Sequence, residues 1–211
     1  MLSLKREPAR IITVLLFSVK AAFKIRPDCG TIVAVSFNPR KTGRPPLESE
    51  TLERLALHYV GRYATTRAKL RTYLDRKIRE RGWAEGKPAS LDALVERISV
   101  LGYIDDRAFA ESKAGALSRR GYGVRRVADA LRVAGITEED AAPVTEAAAA
   151  VGWDAALAFA RRKRIGPFAQ EEADDQRRKK NVAAMIRAGH PFEFARILIN
   201  SKPGRVPDDP N

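Results

Sequence analysis

Apolar residues recur along this chain at the spacing of a helix, and the recurrence itself repeats. Leu52, Leu55, Ala56, Tyr59 and Val60 fall at i, i+3, i+4, i+7 and i+8, one stripe of a helix. Leu70, Leu74 and Ile78 make a second stripe, and Leu91, Leu94, Val95 and Ile98, after Pro88 and a Ser90 cap, make a third. The set then starts again. Asp105 is placed to cap a helix carrying Phe109, Ala116 and Leu117; Gly121 and Gly123 break it; Val124, Val127 and Leu131 share the next face, which Gly135 ends. Thr137 with Asp140 approximates a capping box ahead of Ala141, Val144 and Ala148. A last set follows in Trp153, Ala156, Leu157 and Ala160, then Val182, Met185 and Ile186, then Phe192, Ala195 and Ile199 behind Pro191.

Superposing the middle helices brings Leu70, Val127 and Val182 into one column and Leu74, Leu131 and Ile186 into another, with spacings of 57 (127−70, 131−74) and 55 (182−127, 186−131) in both. Alternating strand patterns are absent. The expected fold is all-α, an elongated tandem array of three three-helix units, each burying its open face on its neighbour. The expected divisions are an N-terminal extension and linker at 1–46, units at 47–103, 104–151 and 152–200, and a C-terminal tail at 201–211.

The first residues differ from the rest. Lys5 and Arg6 before the apolar run Ile11 to Val19 imitate a secretory signal, but the run is short, interrupted by Thr13 and Ser18, and followed by more bases. A membrane span needs about 20 apolar residues, so no membrane association is expected. Asn38 to Glu48, with Pro45, Pro46 and Gly43, has the composition of a linker. A single cysteine, Cys29, excludes an intramolecular disulfide, and with two histidines far apart in sequence no metal or other cofactor is expected.

The 39 Lys and Arg against 26 Asp and Glu give a net charge of +13, which favours a polyanionic partner. Residues 1–44 supply +7 of it, from nine bases and two acids, so the location of the remaining charge decides. It lies on the second helix of every set. Arg67, Lys69 and Arg71 belong to the first; Arg119, Arg120, Arg125, Arg126 and Arg132 flank and occupy the second; Arg178, Lys179 and Lys180 belong to the third. By contrast, Thr137 to Asp154 carries five acids and no base, the wrong sign for a helix entering a DNA groove. A cationic ridge of second helices suits backbone tracking better than base readout.

Catalytic chemistry has few candidates. Asp105 and Asp106 precede a helix, where carboxylates satisfy free N–H groups. His58 lies beside an apolar stripe, and His190 sits between Gly189 and Pro191 at a helix junction, both places for packing or turn residues. Arg119 to Arg126, RRGYGVRR, lacks the spacing of a phosphate-binding loop and reads as an interhelical turn. The chain is therefore read as a non-enzyme.

The run Leu101 to Ile136, LGYIDDRAFAESKAGALSRRGYGVRRVADALRVAGI, resembles the central signature of the RecX regulatory family. The likeness lies in the order of its parts: a Gly-Tyr, an acidic turn, Phe-Ala, a Gly-x-Gly, a basic helix with spaced Leu, and a closing Gly-Ile. It extends more loosely over Glu50 to Asn200. Ala108 and Ala130 depart from the pattern, standing where the family often has Arg and Glu. The resemblance implies a monomeric, cytoplasmic helical modulator that binds the RecA filament and the single-stranded DNA within it. It further implies restraint of filament growth, ATP turnover and strand exchange in recombination and DNA repair. A stand-alone DNA-binding protein using the same basic helices is the alternative.

Overall fold

The computed structural model describes residues 43–210. The apolar run at Ile11 to Val19, Cys29 and the N-terminal extension lie outside the described residues up to position 42.

Nine α-helices follow in order among the described residues. They are α1 (Ser49–Val60), α2 (Arg67–Arg81) and α3 (Leu91–Val100), then α4 (Asp106–Arg119), α5 (Val124–Val133) and α6 (Glu138–Ala150). The last three are α7 (Gly152–Lys163), α8 (Asp175–Arg187) and α9 (Phe192–Asn200), with a short 3-10 turn at Gly166–Phe168 before α8. Side-chain caps start four of them: Thr66 accepts from the Lys69 N–H, Asp105 from Ala108, Thr137 from Asp140 and Asp174 from Arg177. Ser90 stands at the N-cap of α3 but its hydroxyl makes no capping bond.

Each set of three encloses its own core. Leu47, Leu52, Leu70, Leu74 and Ile98 fill the first. The second is built largely from alanine, Ala110, Ala114, Ala134, Ala141 and Ala148 around Val127 and Leu131, so α4 and α6 lie close together. Trp153, Phe159, Met185, Phe194 and Leu198 fill the third. The array of three three-helix units is thus the observed architecture.

Two sequence readings need correction. The linker composition of Asn38 to Glu48 gives out before its end. Leu47 is fully buried, its N–H donates to the Gly82 carbonyl, and its own carbonyl accepts from Ala84, which closes the first core. The 55-residue step from second to third unit is one residue too long. After α5, Gly135 N–H reaches Arg132 O and Ile136 N–H reaches Leu131 O; after α8, Gly189 N–H reaches Ile186 O and His190 N–H reaches Met185 O. Leu131 is therefore matched by Met185, a step of 54 (185−131), and both are fully buried while Val182 and Ile186 are only partly so. His190 takes the place of Ile136.

Candidate functional site

The basic residues of the second helices separate into two groups once their partners are known. Arg67, in the first turn of α2, is held in the seam between the first two units. Its backbone N–H donates to Asp106 Oδ1 at 3.0 Å, its Nε meets Asp106 Oδ2 at 3.1 Å, and its Nη2 lies 3.4 Å from Asp140 Oδ2. The hydrogen bond that the guanidinium donates to Asp106 raises its pKa against the opposing effect of burial. Asp106, whose side chain is 3% exposed, is therefore a structural acid joining units, a role that its place before a helix did not reveal. Arg71 pairs with Asp92, Arg132 with Asp129 at 3.0 Å, and Arg178 lies 3.9 Å from Glu172. Lys69 has its Nζ 4.4 Å from the centre of the Phe109 ring, and burial, helped by Lys113, lowers its pKa.

The second group has no carboxylate partner among the described residues. Arg119 and Arg120 end α4, Arg125 and Arg126 open α5, and Lys179 and Lys180 lie on α8; all six side chains are exposed. The four arginines surround one turn, and the turn is rigid. Gly123 N–H donates to Ala188 O at 3.0 Å, Arg125 N–H donates to Gly189 O at 3.3 Å, and Arg162 reaches the Arg120 carbonyl. The Arg162 guanidinium also lies 5.4 Å from the ring centres of both Tyr122 and Phe159. Arg162 was visible in sequence only as one base in a run of four; its packing sets it apart.

Beneath this turn lies His190, fully buried, its Nε2 at 3.1 Å from the Gly121 carbonyl and its ring edge-on to Phe159. A carbonyl only accepts, so Nε2 carries a proton, while the buried Nδ1 has no partner among the described residues. Burial lowers the imidazole pKa, the Gly121 bond opposing it. The histidine is thus a packing residue that locks the arginine turn onto the third unit. His58 lies exposed in the last turn of α1. Among the described residues there is no group of three or more His, Cys, Asp or Glu able to hold a metal ion, and no helix long and apolar enough to cross a membrane.

The turn thus presents four exposed guanidinium groups that have no carboxylate partner among the described residues. A family model described as RecX, second three-helix domain, matches residues 105–143, the segment holding that cluster. Regulatory protein RecX of Myxococcus xanthus (strain DK1622) is 39% identical over 169 residues, covering 76% of this chain and 90% of that protein. The protein of the same name from Agrobacterium fabrum (strain C58) is 33% identical over 144 residues, covering 66% of this chain and 76% of its own length. The crystal structure of RecX from Lactobacillus salivarius superposes with a TM-score of 0.55 at 15% identity, over 71% of this chain and 93% of that one. A second crystal structure of regulatory protein RecX gives 0.52 at 19% identity, over 71% and 72% of the two chains. The structural likenesses show a shared helical fold, and the sequence identity over most of both chains shows descent: this chain belongs to the RecX family of regulatory proteins.

Proposed function

We propose that this protein restrains the RecA recombinase by lying along the RecA–DNA filament, with Arg119, Arg120, Arg125 and Arg126 as its principal contact. Lys179 and Lys180 extend that contact onto the third unit. The observation that carries the reading is that these cations are exposed and have no carboxylate partner among the described residues, whereas most of the other second-helix bases have one. Anionic surface, whether DNA phosphate or RecA carboxylate, completes their coordination. The action is by occupancy: an array engaging several protomers at once hinders filament growth and turnover without covalent chemistry. Arg67 supports the reading indirectly, by holding the first unit against the second.

The test is the double substitution Arg125→Glu and Arg126→Glu, read as inhibition of RecA ATP turnover on single-stranded DNA. Acidic residues suit the first turn of α5, so helicity by circular dichroism stays unchanged. The concentration needed for inhibition rises about tenfold or more, since reversing close charge pairs at an interface costs that much. Unchanged inhibition overturns the reading. Equal, steeply salt-dependent binding to DNA with and without RecA replaces it with a stand-alone DNA-binding protein.

A further inference from the structure

The last unit leaves open a place that the second unit covers. In the turn after α4, Gly121 N–H bonds to Ser118 O and Tyr122 N–H to Leu117 O; after α7, Arg164 N–H bonds to Arg161 O and Ile165 N–H to Ala160 O. Gly121 and Arg164 are thus equivalent, both at positive φ, 74° and 53°. At Gly121 the third unit closes in so tightly that a Cβ would lie 2.6 Å from the Phe159 nitrogen. At Arg164 no other unit packs against the turn among the described residues, where it is the only non-glycine in the left-handed region. An arginine in that conformation is a local disadvantage where glycine or asparagine is the usual choice.

Arg164 lines an open cleft of about 460 Å³ together with Lys163, Arg177, Arg178 and Lys202. A second hollow of about 370 Å³ adjoins it and shares Arg178, Ile199 and Asn200 as the common wall. Its floor is apolar, from Val182, Ala183 and Ile199, and Lys179 and Arg196 stand beside it. Phe192, the first residue of α9, lines it with 63% of its surface exposed. The two hollows, which share the wall formed by Arg178, Ile199 and Asn200, are lined together by seven cations and two carboxylates, Glu171 and Glu172. A terminal repeat needs a polar outer face, but neither this excess of one sign nor an exposed aromatic ring serves that need.

We infer that these adjoining hollows bind single-stranded nucleic acid, with phosphates against Arg164, Arg178 and Arg196 and an unpaired base on Phe192. Cations beside an exposed ring and an apolar floor are what a strand with free bases requires. A duplex keeps its bases stacked away from such a ring, and an acidic peptide offers it no planar face. Glu172, 3.9 Å from Arg178, occupies the guanidinium that a phosphate would take. The site goes beyond the filament reading: it needs no RecA and shares with that contact only Lys179.

The experiment is fluorescence anisotropy of the full-length protein with a labelled oligothymidylate, an abasic strand of equal length and a duplex, across a salt series. Phe192→Ala weakens oligothymidylate binding about tenfold and leaves the abasic strand unaffected. Arg196→Glu weakens both and makes the salt dependence shallower by about one phosphate contact. Glu172→Gln tightens both strands about threefold, since it frees Arg178, a gain that misfolding cannot imitate. The Arg125→Glu, Arg126→Glu protein keeps the Phe192-dependent difference between base-bearing and abasic strands, which separates this site from the RecA contact. Loss of the Phe192 difference between base-bearing and abasic strands overturns the inference, as do equal affinity for duplex, weaker binding by Glu172→Gln, or full displacement by poly-glutamate at equal charge.

Discussion

The seam between the first and second units is tied by side chains that include ion pairs, whereas that between the second and third is tied largely by backbone, with Arg162 and His190 each reaching a carbonyl across it. In the first, Arg67 bridges Asp106 and Asp140, and the Thr66 hydroxyl donates to Ala134 O at 2.7 Å, all reaching across with polar groups. In the second, chain lies directly on chain: a Cβ at Gly123 would fall 2.3 Å from Gly189 O, and one at Gly189 would fall 2.4 Å from Arg126 N. The difference teaches where each seam is vulnerable. Charged side chains retain some solvent and some freedom, while close-packed backbone has neither. The second seam is the one carrying Arg119, Arg120, Arg125 and Arg126, so the backbone from which they project is held in place before any partner arrives.

The comparison breaks most decisively at Gly189. Gly189→Ala places a Cβ into Arg126 at a φ of +96°, and the strain and overlap together cost about 3 kcal/mol in urea unfolding. A loss below about 1 kcal/mol would show that the backbone seam can open without penalty. Arg67→Met leaves Asp106 buried without its partner; because Arg67 is itself 39% exposed, the cost is about 2 kcal/mol rather than that of a fully buried pair. A stability equal to that of the parent would mean the side-chain seam contributes nothing.

The histidine sharpens the contrast through pH. Burial holds the His190 pKa below its ordinary 6.5, so the folded state disfavours its protonation. Its contribution is fully present above pH 6.5 and is lost as the pH falls below that, because the unfolded chain then binds the proton that the folded one refuses. The slope reaches at most about 1.4 kcal/mol per pH unit, and His190→Gln flattens it over the same range. A parental slope persisting in that variant would remove His190 from the account. At the small end, Gly86→Ala, where a Cβ meets nothing within 4 Å, changes stability by less than about 0.5 kcal/mol. A larger effect would show that glycine substitutions are costly away from the seams as well.

Much of the fold was legible because helices are encoded locally. The stripes at Leu70 and Leu74 or Val127 and Leu131, the caps at Thr137 and Asp105, and the closing Gly135 each depend on residues within a few positions. The third unit was read one residue out of register, because Val182, Met185 and Ile186 are all apolar and neighbouring on one helix face. Only the capping bonds of Gly189 and His190 distinguish them. Likewise Leu47 follows two prolines, and no local pattern announces its bonds to Gly82 and Ala84.

The sequence by itself determined the helices, the triple repetition, the positive charge of the second helices and the kinship with RecX regulators, since all of these reside in local spacing and composition. Tertiary structure alone decided which of those charges are free. Arg67 finds carboxylates 39 and 73 residues away, while Arg125 and Arg126, equally basic on paper, find none among the described residues. It also made His190 a seam residue and left Arg164 on an open face. The physical reason is common to all three: a charge or a ring is defined by what the chain brings beside it, and packing between units brings together residues that no helical period relates.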